Sequence, residues 1–526
     1  MSNTAQAPTF EWTSHQNAIF EALTTDLTGS YILQACAGAS KTTTLEEAVR
    51  RLVHDTGVPP GHILALAFNK KIAEALAARM PHGVTCSTMN ALGHRALTRF
   101  LPHSRLAVSA WKEQNLWRDF VPAYSGLEKQ EQKNIADAYL RAKMGGCVAA
   151  RLDFELAPDN ISQPHTEKFF ETLRPTAPHD FVAAFSDNLG EASMELDPRD
   201  WTDLARQIYT LDLGMTYCLG SISFLDQLYL TAICPSVSLT QFRHVLVDEA
   251  QDLGNLEHAI LRKAVSRFPA GRLIGVGDPA QAIYAFKGAH YDSMERLGTI
   301  FKASVLSLPV SFRCPKAVVA EAKRLNPQIE PWDKATEGEV AHLTEWDYST
   351  LPRPSTILCR MNYPLVQTGL ALIQAGIGAK FLARNFEEEL LNFFSTWRKK
   401  SKILPGMYLA IEQEIKAQES KDKHKANRLA DYLACLKAIG DQYSATTFEE
   451  LEGGIRILFN SPGPITLATI HKAKGLEWPR VYLIRPDLCP HPNATSEEDL
   501  QQEYNMLYVA VTRAQEYFGY LYKKES

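Results

Sequence analysis

The sequence predicts an α/β fold with two cores built on parallel sheets, each interrupted by a mostly helical insertion. Three observations predict it. Short apolar runs are followed by a loop and then a helix-period pattern, the repeating unit of a doubly wound sheet. That unit occurs in two blocks of the chain, with long helix-patterned stretches between its members. At 526 residues the chain also exceeds a single core; about 150 residues per domain leaves room for roughly three or four parts.

In order, residues 31–35 (YILQA) form a short apolar strand, followed by a small-residue loop and a helix over 41–53. Residues 62–68 (HILALAF) form a second strand, and 70–79 have the spacing of an amphipathic helix. The same style returns at 243–247 (RHVLV) and 272–276 (RLIGV), each strand running into an acidic loop. The second block contains strands at 304–308, 356–359, 465–468 and 481–484. This assigns 1–97 and 239–300 to a first core and 301–395 and 453–526 to a second. Residues 98–238 and 396–452 become the two helical insertions.

Composition narrows the class. Hydrophobic residues at 45% and charged residues at 22% are those of a folded chain. A net charge of −5 excludes nucleic-acid binding through overall basicity and leaves a local basic groove open. Residues 1–12 lack the basic and apolar regions of a signal peptide, and no apolar run approaches the ~18 residues of a membrane span. The nine cysteines have no CxxC pair or zinc spacing. The expectation is a cytoplasmic protein with free thiols, no structural metal and no membrane partner.

The segment 35–44, ACAGASKTTT, lies between a strand and a helix. A loop there turns backbone N–H groups of Ala37, Gly38, Ala39 and Ser40 toward phosphate oxygens, helped by the helix dipole. Lys41 is placed to reach the β- and γ-phosphates, and the Thr42 hydroxyl to ligate Mg²⁺. The GxxxxGK[ST] pattern is not met, because Ala35 and Ser40 occupy its glycine positions. Downstream, 245–252 reads VLVDEAQD, a strand running into paired carboxylates. Asp248 is placed to hold the metal and Glu249 to orient the water that attacks the γ-phosphate. Either segment alone is common; together they point to nucleotide hydrolysis.

Four further segments follow in order, GDPAQAIYAFKGA at 277–289, LPVSFRCP at 308–315, TIHKAKGLEW at 469–478 and EYNMLYVAVTRA at 503–514, and TSHQNAIF lies upstream around Gln16. With them the chain resembles superfamily 1 DNA helicases of the UvrD/Rep/PcrA type, and among these the compact F-box DNA helicases. The resemblance implies two RecA-like motor domains, an ATP-dependent 3′-to-5′ helicase, ATP and Mg²⁺ as cofactors, and single-stranded DNA and single/double-strand junctions as partners. It implies that Gln16 reads adenine, Gln281 senses the γ-phosphate, Arg313 and Arg513 are arginine fingers, Phe312 stacks on the base and Glu477 contacts the ribose. Ser40 and Cys36 depart from the family's glycine-rich loop, and Thr43 stands where many relatives have an arginine near the adenine.

For the strand, the resemblance implies stacking by Phe68, Tyr284 and Phe286, and backbone contacts from Asn69, Thr88, Asn90, Arg360, Thr469 and His471. Arg360 and Asn362 read equally well as a strand-end ion pair or turn. Residues 396–437 carry ten Lys/Arg and five Asp/Glu, a surplus of five over a remainder of −10. That module suits phosphate contacts or a solvated helical face. Two rivals stand beside the helicase reading: a translocase that strips proteins without unwinding, and a nucleotide-sensing subunit of a larger mobile-element or anti-phage defence complex with little turnover. A protein partner in a repair or defence complex is a further expectation.

Overall fold

In a computed structural model of the full chain, the described residues are 11–101, 105–109, 112, 138–144, 212, 215–216, 220–284, 289–382, 384–419, 423–492 and 494–522. The chain divides into two compact units. The first contains residues 1–35 and 41–308, and the second 309–526 with the short stretch 36–40.

The first unit is organised on a parallel sheet of β1 (Tyr31–Ala35), β2 (Ile63–Leu66), β3 (Thr85–Ser87), β6 (His244–Val247), β7 (Arg272–Gly277) and β8 (Ser304–Leu308), in the order β3-β2-β6-β7-β1-β8. Every residue of β2, β6 and β7 is buried, as expected of strands covered on both faces. Two further strands, β4 (Ala107–Val108) and β5 (Ser221–Ile222), pair with each other at the described edges of the first insertion. Most of residues 98–238 lie outside the described set.

One boundary is corrected. Residues 304–308 were expected to open the second core, but β8 pairs in parallel with β1, Tyr31 opposite Ser304 through Ala35 opposite Leu308. A lone apolar strand has the same pattern whichever sheet it joins. The first core therefore runs through Leu308.

In the second unit β9 (Val310–Ser311) pairs with β10 (Glu330–Pro331). Its parallel sheet contains β11 (Glu339–Leu343), β12 (Ser355–Cys359), β13 (Ala379–Phe381), β14 (Ile465–Thr469), β15 (Trp478–Ile484) and β16 (Ala514–Leu521), in the order β11-β16-β15-β12-β14-β13. Among the described residues between β13 and β14 lie four helices, Arg384–Arg398, Leu404–Glu419, Lys423–Gln442 and Phe448–Asn460. The second insertion is thus longer than 396–452. Its first helix buries Phe386, Leu390, Phe394 and Trp397, a helical stripe that begins before residue 396. Thr447 and Glu450 close a capping box on the last helix.

Four of the ten basic residues of 396–437 are engaged within this insertion. Arg398 contacts Glu449 at 2.5 Å and lies over the Phe448 ring. Lys437 pairs with Glu412 at 2.5 Å, and Lys425 lies 3.8 Å from Glu414. The Lys400 ammonium sits 3.9 Å from the Trp397 ring centroid.

Candidate active site

In the first unit, Lys41 opens α2 (Lys41–His54) after β1, and Asp248 and Glu249 follow directly on β6. The parallel sheet delivers both groups to the same end of its strands, where ligands of open α/β sheets bind. The Thr42 hydroxyl donates to Asp248 Oδ2 at 2.9 Å, and Lys41 Nζ lies 3.8 Å from Glu249 Oε2. Burial and the neighbouring Glu249 push the Asp248 carboxyl up to about 6, against the opposing pull of Lys41 and Thr42. A buried carboxylate beside a second carboxylate and a hydroxyl is an oxygen donor set suited to a hard divalent cation such as Mg²⁺.

Two non-glycine residues of the segments 35–44 and 245–252 have left-handed backbones, Ser40 at φ 56° and Glu249 at φ 54°. Such conformations cost about 1 kcal/mol or more in L-residues and concentrate at functional sites. Gly38, at φ 76°, adopts the same region freely. The substitution noted at Ser40 therefore falls where a glycine would be relaxed.

A hydrogen-bonded path joins the site to the GDPAQ segment. Gln281 Nε2 donates to Asp278 Oδ2 at 2.6 Å, the Asp278 N–H donates to Gln251 Oε1 at 3.0 Å, and Gln251 Nε2 donates to Glu249 Oε2 at 2.5 Å. Asp278 is fully buried and raised by that burial, with Lys41 opposing. Gln251 and Asp278 were not singled out from the sequence, although both lie inside the segments that flagged the site. Gln16 is also buried. Its Oε1 accepts from the Thr13 N–H at 3.0 Å and its Nε2 donates to Thr44 at 3.1 Å, which ties α1 (Ser14–Thr25) to the first turn of α2 beside Thr43.

The candidate strand contacts of this unit fall at helix starts. Phe68 is 48% exposed, and its ring stacks on Tyr284 with centroids 6.0 Å apart. Burial, followed by Asp252 and Glu249, raises the Tyr284 hydroxyl to about 12. Asn69 caps α3 (Lys70–Ala77) by accepting from the Ile72 N–H, and Thr88 caps α4 (Met89–Phe100) through Ala91. Asn90 Nδ2 donates to the carbonyl of Phe224 at 2.7 Å. Phe224 itself is 60% exposed at the start of α5 (Phe224–Ile233); an aromatic at a helix start with no family motif quoted for it gave no signal in the sequence. Phe286 lies outside the described residues.

In the second unit, Arg313 and Glu477 are brought together, with Nε to Oε2 at 2.5 Å. Gln515 holds the other Glu477 oxygen at 2.9 Å. Arg513 is buried and oriented by the Val509 carbonyl at 2.9 Å, the Leu476 carbonyl at 3.2 Å and the Thr512 hydroxyl at 3.0 Å. The Phe312 ring lies 5.7 Å from that of Trp332, tilted by 54°. Arg360 makes a forked ion pair with the buried Glu503, with contacts of 2.8 and 3.0 Å, and Asn362 donates to Asp431 at 3.3 Å. Arg360 is therefore committed to the ion-pair alternative in this structure. Thr469 and His471 flank the start of the short helix Ile470–Ala473 after β14.

Residues 15–302 match the UvrD/REP helicase N-terminal domain and residues 373–524 the UvrD-like helicase C-terminal domain. The chain belongs to the UvrD/REP helicase family. It is similar to F-box DNA helicase protein 1 of Schizosaccharomyces pombe, 25% identical over 523 residues, which cover 92% of this chain and 54% of the relative. It is 22% identical to DNA helicase II of Haemophilus influenzae over 56% of this chain and 38% of that protein. It is likewise 22% identical to the ATP-dependent DNA helicase PcrA of Staphylococcus aureus, over 93% of this chain and 80% of that protein. The chain thus spans about half the length of the F-box relative. Among the described residues no helix is long and apolar enough to cross a membrane.

Proposed function

We propose that this UvrD-like chain is an ATP-driven DNA helicase and translocase that moves 3′-to-5′ on single-stranded DNA, in repair, recombination or replication. The observation that carries the proposal is the cluster of Lys41, Thr42, Asp248 and Glu249 at the strand ends of the first sheet. Lys41 neutralises the β- and γ-phosphates. Glu249 accepts a proton from the attacking water and orients it, while Gln251 and Asp278 connect that carboxylate to Gln281. Thr42 and Asp248 would hold Mg²⁺, which supplies charge neutralisation at the phosphates. Phe312 stacks on the base, Glu477 faces the ribose, and Arg313 and Arg513 act on the transferred phosphoryl group. Phe68 and Tyr284 form a stacking platform for unpaired bases.

The test is ATP hydrolysis with and without single-stranded DNA, run beside 3′-tailed and 5′-tailed duplexes. Stimulated hydrolysis and unwinding of the 3′-tailed duplex are expected; hydrolysis indifferent to DNA contradicts the proposal. Ser40 in a left-handed conformation favours one second reading, a nucleotide-sensing subunit with slow turnover. That reading predicts ATP binding with hydrolysis near background even on saturating DNA.

A further inference from the structure

Among the described residues, the first unit contains a set of four mutually paired buried charges that the proposed chemistry does not use. Lys112 Nζ lies 2.5 Å from Asp212 Oδ1 and 2.6 Å from Asp226 Oδ2. Lys143 Nζ lies 2.6 Å from Asp212 Oδ2 and 2.5 Å from Asp226 Oδ1. All four side chains are at most 4% exposed. The Tyr139 hydroxyl donates to Asp212 at 2.5 Å, and Lys112 also donates to the Thr216 hydroxyl at 2.6 Å. Two cations and two anions alternate around a square, so the set is neutral although every member is charged.

Apolar side chains of similar volume would stabilise such a position as well or better, because four ions have been taken out of water. What the charges add is selectivity: each ammonium must sit between both carboxylates, and any slip leaves an uncompensated buried ion. The square joins chain segments 69 to 114 residues apart. Its fourth corner, Asp226, is in the first turn of α5. There Asp226 Oδ2 also accepts from the Ser223 N–H at 2.9 Å, and the Asp226 N–H donates to Ser223 Oγ at 3.0 Å, which fixes where the helix begins.

From that turn the geometry runs to the candidate strand face. The Phe224 carbonyl holds the Asn90 amide at 2.7 Å. One turn further along α4, a Cβ on Gly93 would stand 1.9 Å from the Gln227 carbonyl, so the two helices touch backbone to backbone. A displacement of the α5 start is therefore passed to α4, whose cap is Thr88.

We infer that the Lys112–Asp212–Lys143–Asp226 square is a positioning device, which locks the chain around Lys112, Lys143 and Asp212 to α5 within the first insertion and thereby sets the strand-binding face carried by Asn90 and Thr88. This rests on the reading of that face as a DNA track. Its members are positioning residues and touch neither ATP nor DNA.

The test measures two constants in the full chain: the dissociation constant for a fluorescein-labelled oligothymidylate at fixed salt, by anisotropy, and KM for ATP without DNA. Asp226→Asn should weaken DNA binding about tenfold, the scale of one broken buried pair partly relaxed, with KM for ATP unchanged. Tyr139→Phe keeps all four charges, removes one hydrogen bond and should weaken DNA binding about threefold. Variants with native circular dichroism but parental DNA affinity would overturn the inference, since a square that only stabilises the fold lowers the melting temperature alone. If Asp226→Asn does not fold, Tyr139→Phe decides by the same criterion. Phe68→Ala separates this from the underlying reading. Loss of affinity there with parental affinity in both square variants sinks the positioning role, and the reverse pattern sinks the role of Phe68.

Discussion

Two buried carboxylate clusters lie in the first unit, and they are opposites. At the candidate nucleotide site Asp248, Glu249 and Asp278 gather around Lys41, and burial drives Asp248 up to about 6. In the insertion Asp212 and Asp226 alternate with Lys112 and Lys143. Burial there also works to raise Asp226, but the two ammonium groups outweigh it and hold the carboxyl below its ordinary range. The first cluster has negative charge in excess and is suited to take up a cation; the second is balanced among the described residues. Uncompensated burial points to chemistry, and compensated burial to architecture.

The sharpest way to break that contrast is to unbalance the second cluster. Lys143→Met leaves a buried carboxylate without one of its partners and should cost about 3–5 kcal/mol of unfolding free energy. Adding Asp226→Asn restores neutrality, and denaturant melts should show the double variant losing clearly less than the sum of the singles. Additive losses would mean that the four groups do not act as a unit.

The first cluster should respond in the other direction. In metal-free protein with EDTA, Asp248→Asn should raise stability at pH 8 by up to about 3 kcal/mol, the equivalent of a carboxyl moved from 3.8 to about 6. The sign follows from linkage: a carboxyl with a raised folded value binds its proton more tightly when folded, so its stabilisation is complete below about pH 4 and lost as pH rises through about 6. The gap between parent and Asp248→Asn should thus be absent near pH 4 and complete above pH 6. Asp226, held low, contributes the opposite slope, with stability present at neutral pH and lost on strong acidification.

The smallest effect concerns backbone. Ser40→Gly relieves a φ of 56° and should stabilise by about 1 kcal/mol, less what glycine adds to the entropy of the unfolded chain. If nucleotide turnover rises with it, the serine is a brake on the loop; unchanged turnover removes the argument for a slow sensing subunit.

The sequence made some of this legible and not the rest, for identifiable reasons. Strand–loop–helix units are local, so both sheets could be read from apolar runs and their following helices. Sheet membership is not local, which is why the apolar run Ser304–Leu308 reads as part of the second core although it pairs with Tyr31–Ala35 of the first. Lys41, Asp248 and Glu249 were legible because each sits at a strand end within a recognisable segment. Asn69 and Thr88 were read as strand contacts, and both are helix caps in the structure; a short polar side chain at a helix start serves either purpose. Arg360 finds Glu503 across 143 residues and Lys112 finds Asp226 across 114. No periodicity or motif encodes such pairings.

The most direct measurement compares the parent with Lys41→Ala in steady-state ATP hydrolysis on saturating single-stranded DNA, with DNA affinity measured on the same preparations. The account predicts DNA-stimulated hydrolysis in the parent, a loss of at least about a hundredfold in the variant, and equal DNA affinity in both. Hydrolysis retained by Lys41→Ala, or a parent whose hydrolysis ignores DNA, would contradict it.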